Sequence, residues 1–261
     1  MRTVLISLTR IRVAIRPTLV FITAYALTVT PHEAAHAIFA CFLGFSSTLF
    51  QMWVNPETAS ASWAQLAGIA SAGPLFSLFV GLICGLLYLS LYRHKSVGLF
   101  LLMMAMMGIN AFLGPLAVVA FGGDFNLVLK VLGASAALQW TVSAIGTVLL
   151  AAFMFEFGRE IIHSAPARYG RTASVVCMTV APWLLGPLLI IAIYWPLPNF
   201  LIGSTIAGSA FWLFAVIGAS FGTPQRRVED AVAIYGGIDL LALTIAVIMV
   251  RALVYGLRLR H

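Results

Sequence analysis

Three ionisable side chains fall within five positions, His32, Glu33 and His36, with Ala34 and Ala35 between the acid and the second histidine. On an α-helix, positions i and i+4 stand one above the other, so His32 and His36 can present imidazole nitrogens to one metal ion at about 2.0 to 2.1 Å. Glu33 is offset around the helix yet close enough to reach a water held by that ion. The two alanines leave room for the metal and favour the helix. Zinc lowers the pKa of a bound water to about 7, and a carboxylate beside it can take the proton while the metal polarises a carbonyl. With five His and five Glu in 261 residues, random placement yields this spacing with a probability of roughly two in a thousand. The pattern points to metal-assisted hydrolysis.

A single histidine in an apolar helix is most simply a hydrogen-bonded packing residue. Three ionisable groups together in an apolar span are expensive unless paired or bound, and zinc compensates them directly. A catalytic zinc takes three protein ligands and keeps one open position, so a third donor must come from another segment. His94 and His163 fall in loops and His261 is the last residue, while Glu57, Glu229 and Asp230 also fall in loops and Asp239 opens the last apolar run. Asp124 follows Gly122-Gly123 in a broken stretch, and Glu156 and Glu160 close the fourth apolar run. Irregular backbone at membrane depth is tolerated only around a protein-lined or wet cavity, which favours Asp124. Glu156 and Glu160 stay open as the alternative.

The elements that must carry these residues are apolar helices. The chain is 62% hydrophobic and 9% charged, against about a quarter charged in a soluble globular domain. Apolar runs of roughly 20 residues cross a hydrocarbon core of about 30 Å. Seven can be drawn, near 17–45, 63–92, 97–121, 137–158, 173–195, 200–220 and 238–257. The expected fold is therefore all-α, a polytopic bundle of six or seven transmembrane helices in a single domain spanning 1–261, with a re-entrant or irregular segment near 114–136. The net charge of +7 lies in short clusters between apolar runs and forms no basic face, which excludes nucleic acid as a partner. Arg93 and Lys95, then Arg159, Arg168 and Arg171, then Arg226 and Arg227 share one side with an N-terminus rich in arginine, and residues 46–62 on the other carry no Lys or Arg. By the positive-inside tendency the N-terminus is cytoplasmic. Arg258 and Arg260 then end outside, against that tendency. The apolar run after Arg16 continues into the histidine motif, so it reads as an uncleaved anchor. Cys41, Cys84 and Cys177 lie within apolar runs, and an odd count without framework spacing argues against structural disulfides. Gly-Pro-Leu occurs at 73–75, 114–116 and 186–188. The spacing gives no repeat, and each proline reads as a kink or as a point where a freed carbonyl lines a cavity.

In the order of its motifs the chain resembles the site-2 protease family of intramembrane zinc metalloproteases. His-Glu-Ala-Ala-His at 32–36 is followed by Ala72-Gly73-Pro74-Leu75-Phe76-Ser77, and then by Asn110, Gly114-Pro115 and Gly122-Gly123-Asp124. The resemblance covers roughly residues 18–135. It implies that His32, His36 and Asp124 hold zinc and that Glu33 is the general base. It further implies that the partners are the lipid bilayer and a membrane-protein or peptide substrate, in a multi-pass protein of the plasma membrane, the inner membrane of a bacterium. Ser77 stands where the family has Asn, Phe125 where it has Gly, and the Asn110-to-Asp124 interval is longer than usual, so no assisting role is carried over to Ser77 or Asn110.

Three other functions compete. ZIP-type metal transporters also carry His-Glu-x-x-His in a membrane helix, but with Glu after the second histidine, where this chain has Ala37, and with a second His-Asn-x-x-Asp motif that is missing here. A prenyl-protein protease type would take its third ligand from Glu156 or Glu160. A catalytically silent zinc-binding membrane protein would keep the ligands without turnover.

Overall fold

In lipid, backbone N–H and C=O groups must be satisfied within the chain, and long apolar runs do this by forming helices. The computed structural model describes residues 2–92, 97–165, 170–224 and 237–260, and most of them are helical. In chain order, α1 (Arg2–Phe42), α2 (Trp63–Leu87), α3 (Gly98–Ala117), α4 (Asp124–Val131) and α5 (Ala136–His163) are followed by α6 (Gly170–Val175). A π-helical turn, Val176–Val180, joins α6 to α7 (Ala181–Ile193). Next come α8 (Asn199–Gly208), a short 3₁₀ turn, α9 (Trp212–Ala219) and α10 (Gly237–Ala252). Among the described residues, four helical stretches are long and apolar enough to cross a membrane: Trp63–Leu91, Gly98–Ala117, Ala136–His163 and Gly170–Ile193. Ser209–Ala219 and Leu240–Ala252 are apolar but shorter. All three cysteines are free.

α1 is longer than its apolar run, beginning at Arg2 and carrying Pro17 and Pro31 inside it. Pro31 has no N–H to give the Leu27 carbonyl, so the turn that enters the histidine motif is loosened where the site begins. α2 starts cleanly because Ser62 and Gln65 form a reciprocal capping box. It runs antiparallel to α1, since Ile69 meets His36 while Ser77 meets His32. α3 lies against α2 through glycines: a Cβ on Gly108 would come to 2.5 Å from the Ser77 carbonyl oxygen and 2.8 Å from Gly81 N. The inner face of α3 carries Met103, Met104, Met106 and Met107, all buried, which pack into a core shared with Val20, Phe21, Leu150 and Met154.

The stretch expected to be re-entrant or irregular, 114–136, is irregular only in part. α3 continues through Gly114 and Pro115 to Ala117, a turn follows, and the two-turn helix α4 begins at Asp124. Gly122 and Gly123 have φ of +149° and +87°, backbone that side chains disfavour and glycine adopts freely. The buried Asn126 donates from Nδ2 to the Val119 carbonyl at 2.7 Å and to Gln139 Oε1 at 3.3 Å, tying α4 between the end of α3 and the start of α5.

Residues 46–62 hold a small sheet that apolar periodicity does not foreshadow. Strand β1 (Ser47–Leu49) pairs antiparallel with β2 (Val54–Pro56) on one edge and with β3 (Leu257–Leu259) on the other. Arg258 reaches Glu57 at 3.0 Å, so the chain's last strand lies at the same end of the bundle as the loop after α1. Beneath the sheet, Ala37 of α1 packs with Leu49 and Leu253.

Candidate metal centre

His32 and His36 sit one turn apart on the same face of α1 and both are buried. Their Nε2 atoms are 3.2 Å apart. Asp124, the first residue of α4, brings Oδ2 to 3.5 Å from His32 Nε2 and 3.8 Å from His36 Nε2, with its side chain 32% exposed. Donor atoms bound tetrahedrally at 2.0 to 2.1 Å stand roughly 3.3 to 3.4 Å apart, so the three measured edges suit one small divalent ion. Among the described residues this is the one group of three or more His, Cys, Asp or Glu placed to hold a metal.

The backs of both rings are held. His36 Nδ1 lies 2.6 Å from the Ile69 carbonyl oxygen, which can only accept, so Nδ1 carries the proton and a neutral His36 keeps a bare lone pair on Nε2. His32 Nδ1 lies 3.0 Å from the hydroxyl of Ser77, a residue only 1% exposed. The hydroxyl can donate or accept, so in the absence of an ion His32 can carry its proton on Nε2 and donate to His36 Nε2, and with the proton on Nδ1 and Ser77 accepting, both Nε2 lone pairs are free for a cation. Gly73 completes the cradle. A Cβ at that position would press on His36 Nε2 and come within 2.7 Å of His32 Nε2, so the space in front of both donors exists because residue 73 has no side chain.

Glu33 is outside the donor group and, with His32, lines a cavity of about 330 Å³ between α1, α3, α7, α8 and α9. Asn110, Gly114 and Pro115 of α3 and Pro187 of α7 are also in its wall. A metal at the three donors and a carboxylate in the adjoining cavity wall is an arrangement that can activate water against a carbonyl presented from the cavity.

The sequence reading singles out His32, Glu33, His36 and Asp124; the structure groups His32, His36 and Asp124 and places Glu33 with His32 in the adjoining cavity wall. It does not bring Glu156 or Glu160 to them. Glu156 pairs with Arg159 at 3.0 Å, and Glu160 accepts a hydrogen bond from the Tyr88 hydroxyl at 2.6 Å and pairs with His163 at 3.2 Å. Asp239 and the Glu229-Asp230 pair lie outside the residues whose side chains are described. Three contributors escape the sequence reading. Ile69 acts through its backbone, which no residue type announces. Ser77 is a lone serine in an apolar run, which by itself announces no role. Gly73 belongs to the first Gly-Pro-Leu, and that recurring tripeptide was the available signal: Gly114, Pro115 and Pro187 of the other two copies line the cavity, while Gly186 abuts the ring of Phe21. Phe125 packs edge-on against Phe112 at 5.3 Å and joins α4 to α3.

Compared with protein-family models, with curated proteins and with solved structures, the chain finds no match in any of the three.

Proposed function

We propose that this chain is a membrane-embedded zinc metalloprotease, similar to the site-2 proteases, that hydrolyses peptide bonds within or next to transmembrane segments. The observation that carries this reading is the convergence of His32, His36 and Asp124 on one point, with Glu33 beside them in the wall of a cavity. His32 Nε2, His36 Nε2 and an Asp124 carboxylate oxygen would hold the ion. Two imidazoles and a carboxylate form a donor set that zinc favours in hydrolases, where a fourth position stays open. When bound there, zinc supplies Lewis acidity, polarising a peptide carbonyl and making a water more acidic.

The remaining work falls to the chain. Ser77 and the Ile69 carbonyl hold the two rings so that both Nε2 atoms face the same point. Glu33 takes a proton from the attacking water and passes it to the departing amine nitrogen as the C–N bond breaks, so one carboxylate serves as base and then as acid. The enclosing helices keep bulk water away, so that hydrolysis proceeds on what the cavity admits.

The same reading assigns the membrane path. α1, α2, α3, α5, α6 with α7, α8 with α9, and α10 make seven crossings. Gln51 Nε2 donates to the Tyr194 carbonyl at the end of α7, and Arg251 donates to the Trp195 carbonyl at 2.7 Å, which sets these ends level with the loop after α1. At the other end, Gly222 abuts Arg159 and Ile162. With the arginine-rich N-terminus cytoplasmic, the sheet and Arg258 face outward in a plasma membrane.

The deciding experiment compares the unaltered protein with Glu33→Gln, measuring zinc content and cleavage of a reporter transmembrane peptide. Zinc should be retained and cleavage should fall by a factor of about 10² to 10⁴. Cleavage that survives the substitution overturns the proteolytic mechanism.

A further inference from the structure

The level of the metal centre along the bundle can be read from three helices independently. A Cβ on Gly73 would meet both Nε2 atoms, so the donors are level with Gly73, about 15 Å along α2 from Trp63 and about 27 Å from Leu91, where that helical stretch ends. On α1, Phe42 ends the helix about 9 Å beyond His36 and about 15 Å beyond His32. Gly81 of α2 faces Gly108 of α3, and from that contact Gly73 and Ala117 each lie about 12 to 14 Å further towards the same end. Ala117 is therefore level with the donors as well, and its carbonyl accepts a hydrogen bond from the Ser143 hydroxyl of α5. Ser143 is about 11 Å from the start of α5 at Ala136 and about 30 Å from its end at His163.

The three helices agree that the centre lies about a third of the way along the bundle. The near end is the one that carries the sheet, because β1 follows α1 and β2 precedes α2. Trp63, Trp195 and Tyr255 are exposed at that end, and such rings settle at the boundary between hydrocarbon and headgroups. The stretches Trp63–Leu91 and Ala136–His163 are about 42 to 44 Å long, so they exceed a hydrocarbon core of about 30 Å by roughly 6 Å at each end. The donors then lie about 5 to 9 Å inside the hydrocarbon on the sheet side, and about 21 to 24 Å from the opposite boundary.

Resting on the protease reading and on the membrane path that turns the sheet outward, we propose that this protein cuts its substrates in the outer leaflet, about two to six residues inside the outer end of their transmembrane segment, and so releases their outward portion. The lower figure holds where the segment is extended, the higher where it is helical. In the cut, water gives its hydroxyl to the carbonyl carbon and its hydrogen to the nitrogen as the C–N bond breaks, leaving a carboxylate and an amine. Both new charged ends form close to the outer headgroups, which spares them a passage across the core. Spanning takes about 20 apolar residues. The outward fragment keeps too few to stay anchored, and the inward fragment keeps most of the segment. The substrate class is thus membrane-anchored chains whose outward part is set free.

The test expresses the full-length protein in cells with model substrates, each a uniform Leu-Ala crossing whose orientation is set by flanking arginines, with a different tag at either end. Mass spectrometry maps the cut, and cells carrying Glu33→Gln give the background. The cut should fall in the outermost third of the crossing for substrates of both orientations, with the outward tag leaving the membrane fraction and the inward tag remaining. Adding one helical turn, about four residues, at the outer end of the crossing should move the cut outward by the same number of residues. The same addition at the inner end should leave its distance from the outer flank unchanged. A cut in the middle of the crossing, or one that keeps a fixed distance from the inner flank, overturns the proposal while leaving the protease reading intact. If protein shown by metal analysis to be loaded with zinc cuts none of the substrates, the protease reading itself fails, and this inference with it.

Discussion

At His36 the Ile69 carbonyl leaves no choice of tautomer, and at His32 the Ser77 hydroxyl holds the ring from behind, so the pair is oriented before any ion arrives. Partners of this kind are worth roughly 10- to 100-fold in metal affinity. Ser77→Ala should therefore weaken zinc binding by about that factor in a chelator competition assay while leaving helical content unchanged. Gly73→Ala should be more severe, because its added methyl group meets both donor nitrogens, and loss of bound zinc by metal analysis is the expected result. Asp124→Ala should lose zinc, whereas Glu156→Ala and Glu160→Ala, whose carboxylates pair with Arg159, Tyr88 and His163, should keep it. Zinc retained in Asp124→Ala and lost in a Glu160 variant would transfer the third ligand to α5 and favour the prenyl-protease arrangement.

The orientation of His32 is a property of two helix contacts as much as of one serine. α2 approaches α3 where Gly81 faces Gly108, and Ser77 lies one turn away on the same side of α2. Overpacking a tight helix contact costs about 1 to 3 kcal/mol and moves the backbones apart. Gly108→Val should therefore lower the melting temperature and, by shifting Ser77 from His32, lower zinc affinity as well. The stability loss without any loss of affinity would show that the ring is held by α1 alone. Helices of this kind were legible in the sequence, because 20-residue apolar runs can do little else in lipid. The three strands were not: each has three residues, too few for an alternating pattern, and β3 pairs with a segment some 200 positions away. α4 was half legible, since Gly122-Gly123 announced the break after α3 and nothing in the sequence announced the helix that follows.

For the molecule as a whole, the pairing of β3 with β1 sets the end of the chain beside the loop after α1. Single cysteines at Thr58 and at Arg260, in a background lacking Cys41, Cys84 and Cys177, should thus be labelled from the same, outer side by a membrane-impermeant reagent, and one at Ala173 should not. Labelling of the Arg260 position from the opposite side would break the seven-crossing path. The Arg258–Glu57 bridge is solvent-exposed at both partners, and its loss should cost less than about 1 kcal/mol, so the strand contacts and not the ion pair hold this end. The sequence by itself determined that the chain is helical and apolar and that His32 and His36 share a helix face one residue from Glu33, and it favoured the carboxylate after a glycine pair as third donor while leaving Glu156 and Glu160 open. These are local facts, governed by the 3.6-residue period and by the cost of polar groups in lipid. Only the tertiary structure decided that Asp124 stands within 4 Å of both histidines, that Ile69 and Ser77 set their rings, and that two of the Gly-Pro-Leu segments line one cavity along α1 while Gly73 of the first abuts the histidine donors. Each of these joins residues more than thirty positions apart, and such contacts depend on how whole helices pack, which no local pattern encodes.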